Sequence, residues 1–333
     1  MNGSKIRWGI LGCGRIARKF AADLRLVTDA ELTAIASRNK ETLELFAKDF
    51  QCKHLHNSYE ALAANKEVDV IYIATPHSHH YEHTMLCLNH DKAVLCEKAF
   101  AINRRQAKEM IKTATERKVF LMEALWTKFL PHYKKLQELL QQNILGDIKS
   151  VLVNFGFKTS DKSPQRLFDP LLGGGTLLDI GIYNVFITVS VLGRPDSIEA
   201  TMTPSPTRVD EQIAILFKYN SGAMAQLFSS FTTNLPVQAE INGTEGCITL
   251  TTRFYEPSAT IQLSKRTPYE RAVIAVEKEA GFGYQYEARH VNECLKKRLI
   301  ESPVMTHADT LLLMEILDSI RNKARIEYPQ DQE

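Results

Sequence analysis

The sequence predicts an α/β protein of two domains: a Rossmann doubly wound parallel sheet over residues 1–123, then an α+β domain over residues 124–333 with a large, mostly antiparallel, open-faced sheet. Three observations predict it. Up to Met122, short apolar runs alternate with segments of helical period, the pattern of a parallel sheet covered on both faces. The first of these runs passes at once into a glycine turn that opens a helix. After Gly146 the runs are joined by Asn220-Ser221-Gly222 and Gly243-Thr244-Glu245-Gly246, which have the chemistry of hairpin turns. A chain of 333 residues also exceeds what one hydrophobic core holds.

The first strand, residues 5–11, leads into Gly12-Cys13-Gly14-Arg15-Ile16-Ala17. In a G-x-G-x-x-A turn the first glycine allows the tight turn, Gly14 lets the backbone approach a pyrophosphate, and a small Ala17 lets helix and strand pack closely. The free N–H groups of the following helix favour phosphate. The second strand, residues 32–36, ends at Ser37-Arg38-Asn39 rather than at the acid that binds a ribose 2′-hydroxyl. A guanidinium pairs with a 2′-phosphate and stacks on adenine, and Ser37 is able to hydrogen-bond there, so NADP is expected over NAD. The alternative is a solvated surface arginine. Helices over residues 40–50, 59–64, 79–89 and 104–117 alternate with strands near His54 and over residues 68–74, 94–97 and 119–122.

The run Val94-Leu95-Cys96 ends in Glu97 and Lys98. Ligands in open α/β sheets bind outside the carboxyl ends of the strands, so a lysine at this tip is placed for chemistry. Thr75-Pro76-His77-Ser78-His79-His80-Tyr81-Glu82-His83 follows another strand end. His79 and His83 are one helical turn apart, but no third ligand clusters nearby, so no metal is expected. Instead Pro76 shapes the loop beside the cofactor, with His77 and His80 facing it; an exposed histidine-rich helix start is the alternative.

In the second half, strands are expected over residues 148–157, 197–203, 212–219, 223–231, 237–242 and 247–251, and helices to about residue 143 and over 177–192, 286–299 and 308–324. The loop 160–170 and the stretch 264–283 are the expected mobile segments. Gly173-Gly174-Gly175 opens the helix that carries Asp179 and Tyr183, which at i and i+4 share one face. The glycines are read as close backbone approach to substrate or nicotinamide, and Gly181 as a site of tight packing by another surface. Asp179 is either a substrate-site acid or a structural partner of the first helical turn.

Composition excludes little but points one way. Forty-one basic against 39 acidic residues gives no reason to expect nucleic acid, and no apolar run suggests a membrane span. Six cysteines without a C-x-x-C pair read as reduced thiols in a cytoplasmic protein.

Taken in order, Gly12-x-Gly14-x-x-Ala17, Thr75-Pro76-x-x-x-His80, Glu97-Lys98 and Gly173-Gly174-Gly175…Asp179-x-Gly181-x-Tyr183 resemble the glucose–fructose oxidoreductase/inositol dehydrogenase/MocA family over essentially the whole chain. Tyr183, where many members carry histidine, makes it most similar to the branch that acts on trans-dihydrodiols and D-xylose with NADP. The resemblance implies pyridine-nucleotide redox chemistry on a sugar or diol, apolar pocket positions at Trp126 and Phe155, and a homodimer through the outer face of the C-terminal sheet. It departs from the family at Ala99, where a proline is usual. A cis bond before a non-proline residue costs about 2.5–4 kcal/mol, so a trans Lys98–Ala99 bond is expected.

The mechanism that follows gives Tyr183 the hydroxyl proton, with Lys98 favouring its phenolate and stabilising charge on the substrate oxygen. Asp179 orients Lys98 or a substrate hydroxyl. Trp126, Phe155 and Phe282 offer faces to a ring, and Glu97 supports its loop rather than acting as an acid. A keto-sugar reductase and a non-catalytic NADP-binding regulator are the competing readings.

Overall fold

The structure is a computed structural model that describes residues 5–160, 165–265 and 269–332. It divides into two units, one of residues 1–129 and 279–311, the other of residues 130–278 and 312–333.

The first unit is a six-stranded parallel sheet in the order β3-β2-β1-β4-β5-β6. In chain order its elements are β1 (Ile6–Leu11), α1 (Arg15–Leu24), β2 (Ala30–Ala36), α2 (Lys40–Asp49), β3 (His54–His56), α3 (Tyr59–Ala63), β4 (Val70–Ile73), α4 (His80–Asn89), β5 (Ala93–Glu97), α5 (Arg104–Arg117) and β6 (Leu121–Ala124). The order reverses between β1 and β4, the crevice where dinucleotides bind in this topology. Val94, Leu95 and Cys96 of β5 are wholly buried because helices cover both faces, which is why the strand reads as an unbroken apolar run. Helix α1 buries Ala17, Phe20, Ala21 and Leu24, one stripe at helical spacing. Asn103 caps α5 by accepting the Gln106 N–H at 3.0 Å.

The second unit is built on eight strands in the order β14-β13-β12-β11-β7-β10-β9-β8. After α6 (Pro131–Gln141) come β7 (Ile148–Gly156), α7 (Ile182–Leu192), β8 (Ser197–Pro204), β9 (Asp210–Lys218), β10 (Met224–Ser230), β11 (Gln238–Gly243), β12 (Gly246–Thr251), β13 (Thr260–Lys265) and β14 (Glu270–Ile274). All neighbours are antiparallel except β7 and β10. Both expected hairpin turns join antiparallel neighbours, β9 to β10 and β11 to β12. Val151, Val153, Ala225, Leu227, Ile213, Ile215 and Phe217 lie buried on the face that α7 covers. The segment Pro170–Leu192 is long and apolar enough to cross a membrane, yet 72% of its apolar window is buried in the protein, the use a core helix makes of such residues.

Several expectations need correction. The end of β13 and the whole of β14 fall inside the stretch expected to be mobile; residues 161–164 and 266–268 of the two expected mobile segments lie outside the described residues. The helix over 177–192 begins with a π-helical turn, Leu177–Gly181, so the i and i+4 relation of Asp179 and Tyr183 is not that of a regular α-helix.

The helix α8 (Tyr284–Lys296) belongs with the first unit, not with the second as a boundary at residue 123 implies. Asp23 of α1 accepts the N–H groups of Phe282 and Tyr284 at 2.9 and 2.8 Å, and Trp8 Nε1 donates to Asn292 Oδ1 at 3.0 Å. Those partners are more than 250 residues apart and leave no local pattern. The division between units runs through the last long helix, α9 (His307–Ala324).

Candidate active site

In the first unit the carboxyl ends of β1, β2, β4 and β5 bring together most of the residues expected to bind a cofactor. Gly12 turns the chain at φ +95°, and a Cβ there would press on the Ala74 carbonyl at 3.0 Å. Gly14 differs: a Cβ would meet nothing within 4 Å. It is the N-cap of α1 and makes no side-chain cap, so the N–H groups of Arg15, Ile16 and Ala17 open the helix without a side-chain acceptor from that residue. Open space over a helix N-terminus is what a dinucleotide pyrophosphate requires, and these residues fit it.

Ser37 is buried at the end of β2, and its hydroxyl accepts the Asn39 N–H at 3.2 Å. Arg38 is exposed, with its guanidinium carbon 5.4 Å from the centre of the Tyr59 ring. Tyr59 in turn meets His83 edge-on at 4.6 Å.

The histidines after β4 are occupied by the protein. His80 is wholly buried; its Nδ1 lies 2.7 Å from the Ala99 carbonyl and its Nε2 2.9 Å from that of Thr75. Burial holds this imidazole down at about 4 even though both carbonyls favour the charged ring. Lying between the two carbonyls, the neutral ring donates to one of them and packs against the other, which sets the Thr75-Pro76 turn beside the turn after Lys98. His77 is buried against His80, ring centres 5.7 Å apart. Burial, then His79, His80 and Arg38, pushes His83 down to about 3. As a neutral ring it donates from Nε2 to Glu82 at 3.1 Å, while Thr75 Oγ1 donates to its Nδ1, also at 3.1 Å. Among the described residues no three His, Cys, Asp or Glu side chains are grouped to hold a metal.

Lys98 is half-buried at the tip of β5. Glu97 before it is buried and accepts from the Tyr72 hydroxyl, a loop-supporting role. The Lys98–Ala99 peptide is cis, against the trans bond expected from the missing proline. Its surroundings decide the matter: Ala99 and Phe100 are buried, and the Ala99 carbonyl is held by His80. Trp126 is buried and stacks on Tyr284 at 4.4 Å, which packs edge-on against Phe20, itself stacked on Tyr72 at 3.8 Å. This aromatic column ends at Glu97. Phe282 is 46% exposed, with Lys19 Nζ 5.2 Å from its ring centre.

The second unit gathers Asp179, Tyr183 and Phe155. Tyr183 is buried, 6.1 Å from the Phe155 ring and 4.8 Å from that of Tyr255, and Phe155 stacks on Tyr255 at 4.6 Å. Burial first, and then Glu256, pushes the Tyr255 phenol up to about 12, so it stays a neutral donor at any working pH. Asp179 Oδ1 lies 3.3 Å from Arg166 Nη1. Gly181 faces Ser229 of β10, where a Cβ would come to 3.2 Å of its hydroxyl, which is the close packing expected. Gly174 approaches the protein itself: a Cβ there would meet the Arg166 carbonyl and Asp169 nitrogen at 2.8 Å. Tyr255 and Arg166, which contact Tyr183 and Asp179, escape a sequence reading because each sits outside any recognisable motif and is brought there by the fold.

Comparison with known proteins agrees with this picture. Residues 6–125 match the sequence model of an oxidoreductase family with an NAD-binding Rossmann fold, GFO/IDH/MocA, and residues 133–249 match the GFO/IDH/MocA C-terminal domain. The chain is 36% identical over 329 residues to trans-1,2-dihydrobenzene-1,2-diol dehydrogenase of Xenopus tropicalis, covering 97% of this chain and 99% of the relative. Among solved structures it is similar to KijD10, a 3-ketoreductase from Actinomadura kijaniata in complex with NADP and TDP-benzene (TM-score 0.86, 25% identity, 96% and 98% of the two chains covered). The aldose-aldose oxidoreductase from Caulobacter crescentus, complexed with glycerol, shares the fold (TM-score 0.87, 23% identity, 96% and 98% covered).

Proposed function

The chain belongs to the Gfo/Idh/MocA family of oxidoreductases, and we propose that within it this enzyme transfers a hydride between NADP and a hydroxyl-bearing carbon of a sugar such as D-xylose or of a trans-dihydrodiol. The observation that carries the reading is Lys98 at the tip of β5, in the same row of strand ends as the open turn at Gly14. Gly12–Ala17 would hold the pyrophosphate, and Thr75, Pro76 and the His80 clamp would shape the wall beside it. Arg38 and Ser37 support NADP over NAD: a guanidinium is offered where a carboxylate would repel the 2′-phosphate.

The bound nicotinamide supplies or accepts the hydride. The chain's own work is on the oxygen and its proton. Tyr183 Oη, as the phenolate, takes the hydroxyl proton in the oxidative direction, its ring fixed by Phe155 and Tyr255. Lys98 contributes positive charge that favours the substrate oxyanion. Asp179, held by Arg166, orients a substrate hydroxyl. Phe155 supplies an apolar face for a ring.

Three further assignments complete the reading. The face of the eight-stranded sheet away from α7 presents Leu152, Leu216, Met224 and Phe228 among Gln and Thr side chains, which supports a homodimer contact there. Buried thiols at Cys13, Cys87, Cys96 and Cys294 support a reducing, cytoplasmic setting. Similarity to a 3-ketoreductase supports a second direction, reduction of a keto-sugar.

A panel of aldopyranoses, a trans-dihydrodiol and keto-sugars, run in both directions with NADP(H) and NAD(H), tests all of this. Steady NADPH formation with a sugar or diol is expected. Tight NADP binding without turnover of any member of the panel would replace the enzyme by an NADP-binding regulator.

A further inference from the structure

The helical segment that carries Asp179 and Tyr183 does not cap itself. Thr176 at its N-cap makes no side-chain bond to the first turn. The acceptor comes instead from Asp210, the first residue of β9, whose Oδ2 receives the Thr176 hydroxyl and the Leu177 N–H, both at 2.6 Å. A carboxylate there satisfies an otherwise unpaired N–H and complements the helix dipole. Asp210 is wholly buried, and its Oδ1 has no hydrogen-bond partner among the described residues. It reaches this place because residue 175 is glycine: Gly175 adopts φ +110°, and a Cβ there would overlap Asp210 Oδ1.

One residue earlier there is a second hold. The Tyr328 hydroxyl donates to the Gly174 carbonyl at 2.6 Å. Tyr328 is buried beneath Arg321, whose guanidinium carbon lies 4.7 Å from its ring centre. Arg321 is also buried; it pairs with Asp331 and lies 3.5 Å from Asp318. The Tyr328 N–H closes the turn on Asp331 Oδ2 at 2.9 Å. Contacts thus run from Asp331 through Arg321, Tyr328 and the glycines to Asp210 and Leu177, two residues before Asp179. Asp331 is exposed, and an ion pair with one end in solvent contributes little net stability, so this arrangement is better explained by the geometry it imposes.

We propose that the C-terminal turn Tyr328–Asp331 and Asp210 together form a clasp that sets the position of Asp179 and Tyr183, making Asp210 and Tyr328 positioning residues of the substrate step. The proposal rests on the assignment of Asp179 and Tyr183 to that step.

The test compares Tyr328→Phe, Asp210→Ala and Asp210→Asn with the wild type, each assayed well below its own Tm. Small displacements of reacting groups cost up to about a hundredfold in rate. Asp210→Ala is expected to lose about a hundredfold in kcat and Tyr328→Phe about tenfold, while Asp210→Asn, which keeps an acceptor oxygen, recovers most of the loss. The Kd for NADP should not move, because its residues belong to the other unit. Wild-type kcat in Tyr328→Phe and Asp210→Ala, or equal losses in Asp210→Asn and Asp210→Ala with only Tm lowered, would overturn the clasp. If Tyr328→Phe does not fold, Asp331→Asn replaces it, with about a threefold loss expected and an unchanged kcat counting against the clasp. If the wild type turns over no sugar or diol, the functional reading falls, and hydrogen exchange over residues 177–183 decides the clasp separately. Faster exchange in Asp210→Ala than in Asp210→Asn supports it, and equal exchange overturns it.

Discussion

Lys98 and Tyr183 are positioned by two different kinds of construction. The Lys98 turn is held by near neighbours in the first unit: His80 of α4 reaches Ala99 across 19 residues of sequence, and Tyr72 of β4 reaches Glu97 across 25. The segment bearing Asp179 and Tyr183 is held from farther away, by Asp210 across 33 residues and by Tyr328 across 154. The difference shows in the glycines. Gly14 opens onto space, as a ligand-facing glycine should, whereas Gly174 and Gly175 are filled by the protein's own atoms. Two glycine motifs that look equally functional in sequence therefore do different work.

The strongest test of that contrast is at the two groups proposed to act on the substrate. Lys98→Met and Tyr183→Phe should each lower kcat by about a hundredfold or more, with Tm nearly unchanged. Their double mutant shows by non-additivity whether they act as one unit. Near-normal turnover in Tyr183→Phe would move the proton role to the first unit.

At the glycines, Gly175→Ala should destabilise by about 3 kcal/mol in urea unfolding, through its positive φ and the overlap with Asp210. Gly14→Ala should leave unfolding unchanged and weaken NADP binding instead. Equal stability losses would erase the distinction drawn between the two motifs.

Glu123 of β6 sits opposite Cys96 in the sheet and accepts from Thr310 at 3.0 Å. Burial first pushes its carboxyl up from 4.5 to about 7. The unfolded chain then ionises first, so folding stability should fall as pH rises from about 4.5 to about 7 and level off above. Glu123→Gln removes that decline, and its gain over wild type should grow by about 3 kcal/mol between pH 4 and pH 8. Thermal unfolding across that range decides it, and parallel curves would count against a buried neutral acid. The smallest effect is expected at exposed Arg38, where Arg38→Ala should raise KM for NADP about tenfold and leave that for NAD nearly unchanged. Equal changes for the two cofactors would remove Arg38 from 2′-phosphate recognition.

By itself the sequence determined the parallel sheet, the first six strands of the second sheet, the glycine turn before α1 and the buried strand that ends in Glu97 and Lys98. Each of these is written in neighbouring residues: a period of apolar side chains, a glycine before a helix, an acid and a lysine ending a buried strand. Only the tertiary structure decided that α8 packs on α1, that Phe282 lies on Lys19, that the Lys98–Ala99 bond is cis, and that the triple glycine admits Asp210 and the adjoining loop. Those outcomes depend on pairs of residues far apart in the chain. Local propensity carries no information about such pairs, because their free energy exists only once folding has brought the partners into contact.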